Sequence, residues 1–484
     1  MSCSQNHGCG FADRPHDAVF YSIYPLGMLG APAANDFISS PVNRLAGIQD
    51  WIPHIRSLGC NALYLGPVFE SDFHGYDTAD YLKVDRRLGD KQALEELSRC
   101  LHQNNIRLIL DGVFNHVGRN FFAFKDLQAS GVNSVYRDWF CGVDFSRKSS
   151  YGDGFYYESW YDAYNLVKLN VQHPEVKNYL LKAVGSWMDD YGIDGLRLDV
   201  AEIIDKGFLA DLAAFCRDRD PNFWLLGEVV SGDYRDWAND RMLDSATNYE
   251  AYKAIYSSHN DHNYYELAWT LNRQFGNEGI YRNLSLYNFV DNHDCSRIGS
   301  ILDQPDHIFN VYVLLFTMPG IPSLYYGSEW GVPGIKGKHE DTALRPEISA
   351  LPDLADCAIF DFIKSLGLIR KASIALQQGS YRELFVSHEQ FVFERRSAAE
   401  LVVILLNASS ASVTLEFAIE ISEGTVLEDL LDADYHVVYL AHLAIVEIPA
   451  YGARIFSSYS MVQLNKLAQV IDCSPKDFLP ENLL

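Results

Sequence analysis

The sequence predicts an α/β chain: a (β/α)8 TIM barrel with a subdomain inserted after the third strand and an all-β domain at the C-terminal end. Three observations carry this reading. Short apolar runs alternate eight times with stretches of helical spacing. Several of those runs end on charge, as in Leu196-Arg197-Leu198-Asp199, Leu225-Leu226-Gly227-Glu228 and Phe289-Val290-Asp291-Asn292-His293-Asp294. From about Gly379 the alternation gives way to strands without helices.

Taken in order, Val19 to Tyr24 reads as the first strand, residues 44 to 57 have helical spacing, and Asn61 to Leu65 reads as the second strand. Lys91 to Asn104 is amphipathic, with Leu94, Leu97 and Leu101 on one face, and the third strand, Ile106 to Leu110, runs straight into Asp111. About 60 residues rich in Tyr, Phe, Trp, Gly and Asp follow, too many for an ordinary loop. They are assigned to an inserted subdomain over 117–173. A helix begins near Pro174; the fourth strand covers 193–198, the fifth 223–227, the sixth lies near 242–246, the seventh covers 284–290 and the eighth 321–326, with a last helix near 357–373. The expected domains are an N-terminal tail over 1–16, the barrel over 17–116 and 174–376, a C-terminal β-sandwich over 377–458 and a helical tail over 459–484.

A chain of 484 residues has room for a large core. A formal net charge of −25 argues against nucleic acid or an anionic membrane as partner, because either needs a basic face. A neutral ligand fits better. The N-terminus has no signal-peptide pattern and no run of roughly 20 apolar residues suggests a membrane span, so a cytoplasmic protein is expected. Nine scattered cysteines without a CxxC pair read as reduced thiols, and Cys3, His7 and Cys9 on a terminal tail do not make a convincing metal site.

In a barrel of this kind the chemistry sits at the carboxyl ends of the strands, where Asp111, His116, Asp199, Glu228, His293 and Asp294 fall. Paired carboxylates without a cluster of Cys and His ligands point to glycoside hydrolysis, with one carboxylate as nucleophile and a protonated one as acid. Arg197, two residues from Asp199, is expected to keep that carboxylate ionised, and the apolar Leu225 and Leu226 before Glu228 favour its protonated form.

Asp111-Gly112-Val113-Phe114-Asn115-His116, Gly195-Leu196-Arg197-Leu198-Asp199, Gly227-Glu228 and Phe289-Val290-Asp291-Asn292-His293-Asp294 resemble, in order and spacing, the four motifs of the alpha-amylase family of glycoside hydrolases. The resemblance covers roughly residues 17 to 457. It implies a retaining double displacement with Asp199 as nucleophile, Glu228 as general acid/base and Asp294 holding sugar hydroxyls. His116, Arg197 and His293 would line the same glucose subsite, and Tyr76, in His74-Gly75-Tyr76-Asp77, would stack beneath the ring. Asp77 and Asp111 would be structural partners near the site, with Asn115 beside them.

Lys168-Leu169-Asn170 resembles a segment of the cyclomaltodextrinase, neopullulanase and maltogenic amylase subgroup, although Leu166-Val167 stand where the subgroup has Met-Pro. The implied substrates are cyclodextrins, maltodextrins and other short alpha-glucans, with alpha-1,6 cleavage or transglycosylation as further possibilities. Alternatives are an exo-acting alpha-glucosidase or transglycosylase and, outside enzymes, a non-catalytic glucan-binding accessory protein, which need not keep three carboxylates. The subgroup commonly has a β-domain ahead of the barrel that exchanges between subunits. With a first strand near residue 18, a dimer of that kind is not expected, and the oligomeric state is left open.

The family's calcium-binding loop after the first strand is rich in Asn and Asp, whereas Pro25 to Pro32 offers few side-chain oxygens. Asn115 resembles a residue that touches calcium in some relatives, but no metal or cofactor is expected to be required. One departure bears on specificity. Where relatives read Val-Ala-Asn-Glu after the nucleophile, this chain reads Val200-Ala201-Glu202-Ile203. Glu202 is expected to bind substrate, and Ile203, in place of a carboxylate, to make the acceptor side more apolar.

Overall fold

A computed structural model describes residues 15–338, 341–348, 350–351, 357–432, 434–439, 443–459 and 463. Cys3, His7 and Cys9 and nearly all of the expected N-terminal and C-terminal tails lie outside these residues. The chain divides into two compact units, one of residues 1–249, 284–300 and 321–355, the other of 250–283, 301–320 and 356–484.

The first unit contains all eight barrel strands: β1 (Phe20–Ile23), β2 (Ala62–Leu65), β3 (Arg107–Gly112), β4 (Gly195–Leu198), β5 (Trp224–Gly227), β6 (Ser245–Ala246), β7 (Tyr287–Asn288) and β8 (Ile321–Tyr325). They pair in parallel in the order β6-β5-β4-β3-β2-β1-β8-β7. A parallel bridge between Thr247 and Tyr287 closes the ring. The fold is therefore a TIM barrel, and no sheet edge is left in it.

The strands are buried on both faces, which is why they read as apolar runs. Helix α1 (Lys91–Gln103) starts where Asp90 accepts the amide hydrogen of Ala93 and buries Leu94, Leu97 and Leu101 on one face. An inserted segment follows β3, with helix α2 (Phe122–Ser130) and a three-stranded sheet of His116–Val117, Ala163–Lys168 and Ser159–Trp160. Helix α3 (Pro174–Tyr191) has Pro at its first position and ends on Gly192 in the left-handed region, leading into β4. Helix α4 (Lys206–Arg219) is capped by Asp205, which accepts from Phe208 N at 2.9 Å.

One expectation needs correcting. The helical spacing over 44–57 is realised as two short pieces, Ala46–Gln49 and Ile52–Ser57. Pro53 supplies no amide hydrogen for the carbonyl of Gln49, and its ring crowds that carbonyl, so a continuous helix cannot pass.

The second unit takes in α5 (Tyr249–Asn260, from its second residue), α6 (Tyr264–Phe275), α7 (His307–Thr317) and α8 (Ala358–Ala372) together with the C-terminal strands. Those strands form an antiparallel six-stranded sheet and a two-stranded sheet of Val413–Phe417 and Ala444–Ile448, with Val403, Leu405, Phe417, Val446 and Phe456 in a common core. Buried polar groups join helices to strands: Asn310 Nδ2 donates to Asn407 O at 2.9 Å and Arg395 Nη1 to Thr317 O at 2.6 Å.

His259 in α5 is fully buried, with Nδ1 bonded to Ile255 O at 2.7 Å and Nε2 paired with the Tyr264 hydroxyl at 3.0 Å. Burial pushes its pKa down to about 3. Between that value and its ordinary 6.5 the unfolded chain binds a proton that the folded one does not, so stability is full above about 6.5 and is lost as pH falls. Lowering the pH from 6.5 to 4.5 is expected to cost roughly 2–3 kcal/mol through this group. Urea melts of the wild type and of His259→Gln at both pH values check this: the variant should lose roughly 2–3 kcal/mol of the pH dependence, the share of the likewise depressed His116 remaining, and equal dependence in both proteins would refute it.

Candidate active site

Strand register puts the site together. Leu198 aligns with Gly112 on one side and with Gly227 on the other, so Asp199 and Glu228 follow β4 and β5 in step. Asp199 N donates to Gly112 O at 3.1 Å and Glu228 N to Leu198 O at 3.0 Å, continuing the ladder by one residue. Asp111 is the register partner of Arg197, and alternation along the strands turns both side chains away from the neighbouring leucines.

Arg197 is 3% exposed and is the centre of the arrangement. Its Nη1 lies 3.0 Å from Asp111 Oδ1 and 2.9 Å from Asp199 Oδ1, and its Nη2 lies 2.8 Å from Glu228 Oε2. Asp111 also accepts from the Tyr64 hydroxyl at 2.7 Å. One guanidinium thus holds three buried carboxylates, the geometry in which its planar fork has an advantage over an ammonium group.

Glu228 Oε2 takes a further hydrogen bond from Val200 N at 2.9 Å, and Oε1 takes one from the Tyr249 hydroxyl at 3.3 Å. Val200 sits at φ 42°, a conformation costly for a β-branched residue. Directly after Asp199, that turn aims the amide at Glu228. Burial pushes the Asp199 carboxyl above its usual range, with Glu228, Asp111 and Asp294 acting the same way and Arg197 pulling it down.

His116 lies with Nε2 3.8 Å from Asp199 Oδ2, while Asn115 Nδ2 meets its Nδ1 at 3.1 Å. Burial pushes its pKa down to about 3, keeping the ring neutral. His293 Nε2 is 3.0 Å from Asp294 Oδ2 and is also bonded to the Tyr76 hydroxyl. The His293 ring stacks on Tyr76 at 5.5 Å and on Tyr24 at 6.2 Å, with planes within 9°. Burial pushes the Asp294 carboxyl up, but His293 and Arg345 pull it well below its usual range.

Asp77 is fully buried and accepts from the amides of Phe73, His74 and Gly75, winding the Tyr76 loop around its carboxylate. Glu202 has a backbone role. Its Oε2 accepts from Val230 N at 2.8 Å and Ser231 N at 3.2 Å, so it holds the loop after β5. Ile203 is 41% exposed.

Two arginines escaped sequence reasoning. Arg345 Nη2 pairs with Asp294 Oδ1 at 2.8 Å, Nε donates to His293 O at 3.0 Å, and the guanidinium lies 4.7 Å over the Tyr24 ring. Arg87 binds both oxygens of Asp85 and gathers the carbonyls of Pro32 at 3.1 Å, Ala33 at 3.3 Å and Phe73 at 2.7 Å, tying the loop after β1 to the Tyr76 loop. Neither lies in a periodic segment, so pattern alone had no signal for them. Among the described residues no group of three or more His, Cys, Asp or Glu could hold a metal ion.

Residues 34–354 match the model of the alpha-amylase catalytic domain. The chain belongs to the alpha-amylase family. It is 30% identical over 422 residues to a cyclomaltodextrinase of a Bacillus species, covering 82% of this chain and 74% of that protein. It is also 30% identical over 441 residues to neopullulanase 2 of Thermoactinomyces vulgaris, covering 86% and 74%. Among solved structures, the Nostoc punctiforme debranching enzyme soaked with acarbose superposes with a TM-score of 0.78 at 28% identity, over 91% of this chain and 98% of that one. As an alpha-amylase family member the protein is a glycoside hydrolase, and Asp111, Asp199 and Glu228, gathered by Arg197, lie within the matched residues.

Proposed function

We propose that this chain is a retaining hydrolase of alpha-1,4-glucosidic bonds in cyclodextrins, maltodextrins and other short alpha-glucans. The observation that carries it is the Arg197 fork, which holds Asp199 and Glu228 on its two terminal nitrogens and so sets both within reach of one glycosidic bond. The cyclomaltodextrinase and neopullulanase relatives support the substrate class. In this reading Asp199 attacks the anomeric carbon while Glu228 protonates the leaving oxygen, then deprotonates the incoming water. Such a pair needs one proton between its two roles, since one group attacks as a carboxylate and the other donates as an acid. Val200 N and Arg197 hold Glu228 Oε2 in place, which leaves Oε1, bonded to the Tyr249 hydroxyl, as the oxygen free to face the leaving group. Asp294, kept ionised by His293 and Arg345, is available to accept from sugar hydroxyls, with Tyr76 beneath the ring. The positive charge that orders the pair is Arg197, and no step is assigned to a metal.

The test is a product profile from maltoheptaose, β-cyclodextrin and pullulan run side by side, with the anomer followed by NMR in the first turnovers. The alpha anomer should appear first. A beta anomer would show inversion and overturn the reading; maltotriose from pullulan would bring in alpha-1,6 cleavage, which the likeness to a debranching enzyme favours, whereas panose would report alpha-1,4 cleavage of the same polymer.

A finer expectation concerns the acceptor side. Glu202 is occupied with the amides of Val230 and Ser231, and its exposed neighbour Ile203 cannot accept a hydrogen bond. Ile203→Glu is therefore expected to raise transfer over hydrolysis at high maltose by about tenfold, the worth of one charge-assisted hydrogen bond. An unchanged ratio and linkage pattern would show that this position does not set acceptor choice.

A further inference from the structure

Two buried donors beside the carboxylate cluster have nothing to bond. His116 Nε2 and Trp160 Nε1 are both shielded from solvent and lack hydrogen-bond partners. Asn115 Nδ2, an amide donor, faces His116 Nδ1 at 3.1 Å, which favours the tautomer with its proton on Nε2, and Asp199 Oδ2 is 3.8 Å from that nitrogen and out of hydrogen-bond reach. The His116 and Trp160 rings lie 6.1 Å apart, tilted by 44°.

The backbone holds them together. Ala163–Lys168 pairs with His116–Val117 on one side and with Ser159–Trp160 on the other, so Trp160 is carried to the rim on the same small sheet as His116. The turn beyond it runs through Tyr161 at φ 41° and Asp162 at φ 63°, two non-glycine residues in the left-handed region. Tyr161 is 74% exposed and meets Trp160 edge-on at 5.2 Å. Strain of this kind persists where surrounding structure over-determines it, and it clusters at ligand clamps. A residue needed only for packing would sit there without the cost of an unpaired N–H.

We propose that Trp160 is a substrate-binding residue whose indole N–H, beside that of His116, donates to a hydroxyl of the glucosyl unit that Asp199 attacks. The inference rests on the hydrolase reading above and adds a recognition residue to it. Two uncharged donors side by side call for uncharged acceptors, and the hydroxyl oxygens of a sugar ring are acceptors on the same length scale as the spacing of the two rings.

Trp160→Phe keeps an aromatic ring and removes the donor. Its kcat/KM should fall about five- to tenfold on 4-nitrophenyl alpha-glucoside and by a similar factor on maltoheptaose. Among monodeoxy analogues of the aryl glucoside, one should be turned over equally by wild type and variant, because the hydroxyl that the indole addresses is already missing. That coincidence is not expected of a purely structural effect. Wild-type rates on every substrate, a loss confined to maltoheptaose, or an equal loss on every deoxy analogue would each overturn the proposal. If Trp160→Phe fails to fold, calorimetric binding of maltoheptaose to Glu228→Gln with and without Trp160→Leu answers the same question: about tenfold weaker binding supports it and equal binding overturns it. A wild-type protein that neither hydrolyses nor binds these glucans would instead refute the hydrolase reading.

Discussion

Asp199→Asn is expected to lower kcat on maltoheptaose by about 10⁴-fold or more, and Glu228→Gln by about 10²–10⁴-fold, with both variants folded. Each substitution nearly preserves shape and removes one chemical function from a site that Arg197 has already assembled. The two should part company on an aryl glucoside with a good leaving group. That bond needs little protonation to break, so Glu228→Gln should recover most of its first step there, while Asp199→Asn, which lacks the nucleophile, should not. Rates in the first turnovers on 4-nitrophenyl alpha-glucoside decide it. Equal defects in both variants would mean that the roles are wrongly divided.

Arg197→Ala is expected to be severe in a different way. Asp111, Asp199 and Glu228 would remain buried without their shared cation, and breaking a buried ion pair on one side costs about 3–5 kcal/mol. The carboxylates would take up protons to relieve the repulsion, so activity should disappear together with several degrees of thermal stability. Arg197→Lys should rescue only part of the stability, since one ammonium group cannot span contacts made by two separate nitrogens. Thermal melts of both variants and their kcat values form the test. A protein with alanine at this position that melts like the wild type and keeps a tenth of the activity would show that the fork does not hold the site together.

Much of this protein was open to sequence reasoning, for a definite reason. Barrel strands are buried on both faces, so each appears as an apolar run, and catalytic barrels carry charge where such runs end. Asp111, Asp199 and Glu228 were therefore visible as breaks in hydrophobicity, and the register of β3, β4 and β5 does bring them to one guanidinium. The caps at Asp90, Asp205 and Gly192 are likewise local chemistry that a residue and its near neighbours decide.

What only tertiary structure decided are the properties that depend on which distant groups meet. Arg345 reaches Asp294 across 51 positions of sequence from a loop with no period. Glu202 accepts from two backbone amides 28 and 29 residues away, a partnership that its neighbours in sequence do not announce. Around Asp199, burial and carboxylates from other strands push its carboxyl up against the pull of Arg197, its neighbour in sequence. Trp160 read as one aromatic among several until a small sheet set its unpaired N–H beside that of His116. Periodicity and local chemistry are written along the chain, whereas desolvation and the satisfaction of hydrogen bonds are sums over neighbours that the chain acquires only by folding.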